Sequence, residues 1–231
     1  MPMPPDGALN FRRPLPGLYR SGNLSRLSER GREELLALNL SRILGLRTRA
    51  ERDIDAPPFL GQTEYLNLSL LPHRVRELNE ASLAGSNGVY NCAVLDHGAN
   101  NVVGILGAIL DAPPGPVLIH CQAGKDRTGL IAALCLELAG RSRDEIAADY
   151  VATGPELVDF YARGELRRTP EQQKRDAPLM PTIADDILRS LAHLDSTWGG
   201  VGPYLAAYGF PEAEAAALGD RLIKGARLIK S

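Results

Sequence analysis

The chain has 231 residues, 23% of them charged, and a formal net charge of −2 at neutral pH. That length is enough for one substantial hydrophobic core, and the weak net charge argues against a general nucleic-acid or anionic-membrane surface. The longest apolar stretches are too short to span a bilayer, and the first residues lack the charged start and apolar core of a signal peptide. We therefore expect a cytoplasmic protein with no integral membrane segment and no nucleic-acid partner.

Apolar periodicity and turn residues predict strands that alternate with helices along the chain. The Ser142 to Glu145 stretch is a capping-box signature for one of these helices. In chain order, the sequence predicts an extended N-terminal segment at 1–16, extended chain at 17–22, a helix from Ser25 or Ser28 through 38, buried strands at 40–46 and 64–70, a turn-rich stretch at 71–91, a long helix at 93–112, a strand at 117–119, and helices at 130–138, 142–150, 182–194, 203–208 and 211–223.

This alternation is typical of an α/β fold with a central, mainly parallel sheet and helices on both faces. We expect a single domain over residues 1–231, with a helical C-terminal part at 181–231 that buttresses the sheet. Residues 165–178 are charged and poor in apolar side chains. Two interpretations of that segment stay open, a solvated connection and a mobile cover over a pocket.

One segment, His120-Cys-Gln-Ala-Gly-Lys-Asp-Arg-Thr-Gly129, lies between a predicted strand and a predicted helix. A loop at such a turn directs its N–H groups and the positive end of the helix at one point, which favours a bound anion and the thiolate form of a cysteine. Arg127 adds a planar guanidinium that can hold two phosphate oxygens at once. The pattern predicts a nucleophilic Cys121 above a phosphate site formed by Gln122, Ala123, Gly124, Lys125 and Arg127.

The spacing of Cys121 and Arg127 is weak evidence without this context. Cys135 and Arg141 have the same spacing, but they lie on a predicted helix that places their side chains about 240° apart around its axis. With Cys92, the chain has three cysteines, which form no disulfide framework, and a working thiolate needs reducing conditions.

The neighbours of Cys121 suggest further roles. A thiolate nucleophile needs no base, so we expect His120 to be a buried histidine that supports the loop by hydrogen bonds. Thr128 could donate a hydrogen bond to the sulfur as it leaves, or satisfy the backbone in the first turn of the helix. Lys125 is either a solvated surface charge or a ligand for a second phosphate on the substrate.

The loop resembles that of a bacterial and fungal family of tyrosine-protein phosphatases, of which a secreted mycobacterial enzyme is typical. The resemblance extends to Tyr19-Arg-Ser-Gly22, to Leu46-Arg-Thr48 with Glu51, and to segments near 199–210. It implies an α/β phosphatase fold, a phosphocysteine intermediate, no metal and no cofactor. It also implies a supporting role for Arg47, phosphorylated proteins or phosphoinositides as substrates, and possible leaderless secretion.

Two positions depart from the family pattern, because Gly45 and Arg13 stand where the family usually has aspartates. Asp126 is then the best remaining candidate for the general acid. Two other function classes stay open: a phosphate-binding module with weak or no turnover, and a sulfurtransferase, which also uses a cysteine in an anion-binding loop.

Overall fold

A computed structural model describes residues 3–62, 64–163, 169, 171, 174 and 177–225. Within them, five strands form one sheet in the order β1-β2-β5-β3-β4, and all neighbours are parallel except β1 and β2. The strands are β1 Arg12–Leu15, β2 Leu18–Ser21, β3 Arg42–Gly45, β4 Tyr65–Asn67 and β5 Val117–His120. The predicted mainly parallel sheet is confirmed.

Side chains of the central strand β5 alternate between the two faces of the sheet, as the strand geometry requires. Leu118 packs in a cluster with Tyr19 and Ile43, whereas Val117 and Ile119 belong to the larger core on the other face. Helices cover both faces. Cys121 follows β5 directly, at the edge where the carboxyl ends of parallel strands meet and where ligands bind in such folds.

Two of the helices begin at the N-caps that the sequence predicts. Ser28 caps the first through its side chain, and Ser142 with Glu145 forms the predicted capping box of the seventh. The helices are α1 Glu29–Leu36, α2 Arg49–Ile54, α3 Arg76–Ser82, α4 Asn87–His97, α5 Ala99–Leu110, α6 Asp126–Leu138, α7 Arg143–Val151, α8 Thr153–Glu156, α9 Val158–Ala162, α10 Ala184–Trp198, α11 Val201–Ala207 and α12 Glu212–Lys224, with 3-10 turns at Leu24–Arg26 and Ala177–Leu179.

The predicted long helix at 93–112 and the turn-rich stretch at 71–91 were both wrong. The structure has α4 and α5, which are bent by 84° at Gly98, and α3 lies inside the stretch predicted as turns. A side chain at Gly98 would lie 2.7 Å from the carbonyl oxygen of Val94, so the bend requires a glycine there. Helix α3 buries only Leu78, so its apolar periodicity is too weak to detect.

Element boundaries also differ from the prediction: the strand predicted at 64–70 covers only Tyr65–Asn67, and the helix predicted at 130–138 begins at Asp126. The segment predicted as extended at 1–16 contains the strand β1, which pairs antiparallel with β2. Only Leu15 of β1 is buried, so the apolar pattern is too weak to predict a strand there. Helix α10 begins at Ala184 with Ile183 as its N-cap and no side-chain cap, so Thr182 does not open it.

The segment predicted as a connection or a cover, 165–178, lies largely outside the described residues. In the part of the chain that is described, no single helix has the length and hydropathy of a membrane span; α4 and α5 meet that test only as a bent pair.

Candidate active site

The loop between β5 and α6 surrounds a pocket of about 240 Å³. Cys121 is 3% exposed, and α6 begins at Asp126, so the positive end of a 13-residue helix faces the loop. The sequence predicted Cys121, Gln122, Ala123, Lys125, Asp126 and Arg127 as site residues, and the structure brings them together here. The pocket is lined by Glu51, Cys121, Gln122, Ala123, Lys125, Asp126, Arg127 and Tyr161.

Arg127 is held by Glu51 through two parallel hydrogen bonds. Its Nη1 donates to Glu51 Oε2 at 2.8 Å and its Nη2 donates to Oε1 at 2.7 Å. A guanidinium has five N–H donors, so this pair leaves three of them for a phosphate. Glu51 therefore fixes the arginine without using up its capacity to bind an anion.

The same pair sets the charges of both groups. Burial acts to raise the pKa of Glu51, but hydrogen bonds and charge from Arg127 outweigh it and lower that pKa to about 2. Burial acts to lower the pKa of Arg127, and Glu51 raises it above its ordinary value. Both groups are consequently ionised at every pH at which the protein is expected to work.

Glu51 owes its position to helix α2. Thr48 and Glu51 form a capping box at the start of α2, in which each side chain accepts a hydrogen bond from the other residue's backbone N–H. Arg47 binds the C-terminal part of the same helix: its Nη2 donates to the carbonyl oxygen of Glu51 at 2.6 Å and its Nη1 to that of Asp55 at 2.7 Å. Arg47 is 1% exposed and does not line the pocket, so it supports the site indirectly.

Lys125 is not a solvated surface charge, because the residue is only 1% exposed. Its ammonium donates to the carbonyl oxygen of Leu179 and, at 3.2 Å, to that of Met180. The lysine thus links the loop to the segment that precedes α10. Its neighbour Asp126 keeps a side-chain exposure of 35% and accepts a hydrogen bond from the Tyr150 hydroxyl at 3.3 Å.

His120 is fully buried, and burial lowers its pKa to about 4, so the ring is neutral near pH 7. Its Nε2 lies 3.4 Å from the Tyr65 hydroxyl. The same hydroxyl fills the space beside Gly45, where an added side chain would lie 2.3 Å from Tyr65 Oη and 2.6 Å from Asn67 Oδ1. The Tyr65 hydroxyl therefore occupies the space that a side chain at position 45 would need.

The Thr128 hydroxyl is fully buried on the first turn of α6. Among the described residues it has no hydrogen-bond partner, so it does not bond to the backbone there as one of the two predictions required. A buried hydroxyl without a protein partner is unusual and often marks a place where a ligand or water supplies the bond.

Sequence reasoning did not assign roles to two pocket residues, Glu51 and Tyr161. The Thr48 to Glu51 spacing is a capping-box signature that could have placed Glu51 at the start of a helix, although nothing in it indicates Arg127. Tyr161 comes from α9 and had no sequence signal. Within the described residues, no three His, Cys, Asp or Glu side chains converge closely enough to hold a metal ion.

The sequence profile described as the tyrosine phosphatase family matches residues 16–224. The chain belongs to the tyrosine phosphatase family. A tyrosine-protein phosphatase of Nostoc commune is 31% identical over 221 residues, 90% of this chain and 75% of that protein. The triple specificity protein phosphatase PtpB of Mycobacterium tuberculosis is 28% identical over 244 residues, 85% of this chain and 87% of PtpB.

A solved structure also matches this family member. The core catalytic domain of the PP-IP phosphatase SIW14 from S. cerevisiae aligns with 76% of this chain and 93% of its own, at 18% identity and a TM-score of 0.41.

Proposed function

We propose that this tyrosine phosphatase family member is a single domain that hydrolyses phosphate monoesters through a phosphocysteine intermediate. The observation that carries the proposal is the shared pocket of the Cys121 thiol, the Arg127 guanidinium and the loop from Gln122 to Asp126. The thiolate attacks phosphorus in line with the ester oxygen, forming a sulfur–phosphorus bond as the phosphorus–oxygen bond breaks. Arg127 and the loop amides stabilise the charge on the equatorial oxygens, and their placement costs no reorganisation during the reaction.

The general acid of the first step is Asp126. Among the described residues, two carboxylates line the pocket, and Glu51 is held ionised by Arg127, with a pKa of about 2, so it carries no proton to give. Asp126 is partly exposed, and its orientation is fixed by the Tyr150 hydroxyl. It protonates the leaving oxygen and can then take a proton from the water that attacks the phosphocysteine.

In the second step the sulfur departs as a thiolate. We assign Thr128 to this step, because its buried hydroxyl has no partner among the described residues and can turn to the sulfur when negative charge returns to it. We assign no base role to His120, since a thiolate nucleophile needs none and burial lowers the pKa of the ring to about 4, so it holds a proton only weakly. Its role is to support the start of the loop.

The preferred substrate is an aryl phosphate such as phosphotyrosine. The buried nucleophile lines a pocket of about 240 Å³ together with an aromatic side chain, Tyr161, against which a flat ring could pack. Phosphoinositides rank lower, because the Lys125 ammonium is held by two backbone carbonyls and would have to leave them to bind a second phosphate. Phosphoserine and phosphothreonine rank lower because they have no ring to pack against Tyr161. A cytoplasmic location remains a prediction from the sequence.

Release of para-nitrophenol from para-nitrophenyl phosphate tests the reaction. Cys121→Ser should abolish release, whereas Cys92→Ser, the same substitution outside the pocket, should leave it unchanged. Mass spectrometry of rapidly quenched turnover should find the phosphoryl group on Cys121. Vanadate binding without cysteine-dependent release would instead indicate the binding module, and thiosulfate-to-cyanide transfer would indicate the sulfurtransferase; either result would refute the proposal.

Substrate preference needs a second assay. We expect phosphate release from phosphotyrosine peptides to exceed that from phosphoserine peptides and phosphoinositides at equal concentration. Tyr161→Ala should narrow this difference, and Tyr161→Phe should keep it. Faster release from phosphoinositides than from phosphotyrosine would reverse the ranking.

A further inference from the structure

Behind the catalytic loop lies a buried polar network whose role the reaction does not explain. A loop that turns its N–H groups toward a phosphate leaves carbonyl groups on its other side, and each of these needs a partner inside the protein. Asn10 Nδ2 donates to Ala123 O at 3.1 Å and to Gly124 O at 3.0 Å. Arg20 Nη2 donates to Gly124 O at 2.6 Å.

One carboxylate, that of Asp149 on α7, holds these donors in place. Its Oδ2 accepts from Arg20 Nη1, and its Oδ1 accepts from Arg12 Nε at 2.7 Å. Arg12 in turn donates to Asn10 Oδ1, which orients the amide of Asn10 toward the loop. Arg20 is fully buried, and the Asp149 side chain is only 12% exposed, so solvent does little to screen this network.

The loop has no room to take another path. Gly124 has a φ of +69°, and a side chain there would lie 2.6 Å from the backbone N of Gly22. A side chain at Gly129 would lie 2.8 Å from the ring of Tyr150 on the other side. The loop backbone therefore rests directly on the end of β2, and the first turn of α6 rests on α7. The loop carbonyls of Ala123 and Gly124 face the two donors, Asn10 and Arg20.

Charge adds a second effect. Two guanidiniums share one carboxylate, so Arg12, Arg20 and Asp149 together carry a net positive charge. Burial raises the pKa of Asp149, but Arg20 and Arg12 outweigh that effect and hold it below its usual range. The carboxylate stays ionised at neutral pH, and the excess positive charge lies directly behind the anion site.

We propose that Asp149 is a positioning residue for the catalytic loop: through Arg20, and through Arg12 and Asn10, it turns the Ala123 and Gly124 carbonyls away from the pocket and so directs the loop amides at the phosphate and at the Cys121 thiolate. This inference rests on the proposed function for its effect on turnover. Its effect on anion binding and on the thiolate is independent of turnover.

The test compares Asp149→Asn with Asp144→Asn, an exposed aspartate on the same helix. Asp149→Asn removes a negative charge, which by itself would favour the thiolate and a bound anion, so any loss reports on the direction of the loop amides. We expect the variant to slow the alkylation of Cys121 by iodoacetamide at pH 7 and to weaken vanadate binding by about tenfold or more, since small misplacements in a site cost factors of this size. The melting temperature should fall as well, because two buried guanidiniums lose their carboxylate, so both measurements are made well below the melting temperature of each variant. Turnover should fall mainly in kcat, and Asp149→Glu should recover part of each loss.

A second variant covers the case in which Asp149→Asn does not fold. Asn10 has a φ of +52°, a conformation that glycine adopts without strain, so Asn10→Gly removes the donor to both carbonyls without adding a charge. We expect the same change in alkylation and vanadate binding. The proposal would be overturned if, in either variant that folds, the rate of Cys121 alkylation and the vanadate dissociation constant lie within twofold of the Asp144→Asn values. Absence of Cys121-dependent turnover in the wild type would refute the proposed function instead, and leave these two measurements valid.

Discussion

Glu51→Gln is the substitution that examines the arginine clamp most directly. Glutamine keeps the size of the side chain and can still complete the capping box with Thr48, but it removes the charge that faces Arg127. The pKa of Glu51 is about 2 instead of 4.5, so the ionised form is favoured by about 3 kcal/mol. The Glu51 side chain is 30% exposed, so solvent screens part of this, and we expect a loss of about 1–2 kcal/mol of unfolding free energy at pH 7.

The pH dependence has a definite sign. The pKa of Glu51 is lower in the folded than in the unfolded chain, so its stabilisation is complete above about pH 4.5 and disappears as the pH falls toward 2. In urea unfolding, the free energy of unfolding of the wild type should therefore exceed that of Glu51→Gln at pH 7, and this difference should become smaller below pH 4. Vanadate binding and kcat should also fall in the variant, because Arg127 is no longer fixed.

The chain offers a matched control in Glu145→Gln. Glu145 closes the capping box of α7 as Glu51 closes that of α2, and its side chain also lies 3.3 Å from that of an arginine, Arg141, but it is exposed and does not line the pocket. Its substitution should leave activity unchanged. Tighter vanadate binding in Glu51→Gln would refute the reasoning, because it would mean that the carboxylate competes with phosphate for Arg127.

Three further predictions concern the loop and its neighbours. Asp126→Asn should slow esters with poor leaving groups far more than those with good ones, and equal losses in a series of aryl phosphates would remove Asp126 as the acid. Burial lowers the pKa of His120 to about 4, so between pH 6.5 and 4 the unfolded chain binds a proton at this residue and the folded chain does not, and the folded chain loses stability as the pH falls. In urea unfolding, His120→Gln should reduce this loss of stability, whereas the exposed His97→Gln should not. Gly124→Ala places a Cβ 2.6 Å from the backbone of Gly22 and should abolish vanadate binding and lower the melting temperature, and unchanged binding would show that the loop can move aside.

The parts of the site that are contiguous in sequence could be predicted. The loop from His120 to Gly129 contains the nucleophile, the anion-binding amides and the arginine, and its position after a buried strand follows from local patterns alone. The parallel sheet followed from the alternation of strands and helices. Both inferences use only neighbours along the chain.

Partners that meet only after folding could not be predicted. Glu51 lies 76 residues before Arg127, and their contact depends on β3 and β5 being adjacent, which no local pattern specifies. The division of the predicted helix at 93–112 into α4 and α5 was missed for the same reason. The bend between them depends on how the two helices pack, and a single glycine, Gly98, is a weak signal for it in the sequence.

The hydrogen bond from Asn10 to Ala123 closes a loop of 113 residues, and the carboxylate of Asp149 that orients its donors comes later still. During synthesis, Cys121 therefore leaves the ribosome after Asn10 and Arg20 but before Asp149, the residue that holds these donors in place. A chain that stops before α7 should carry an ordinary thiol, unreactive toward phosphate esters. Phosphatase activity should consequently appear only after α7 has been translated and has packed against the N-terminal segment that contains Asn10 and Arg12.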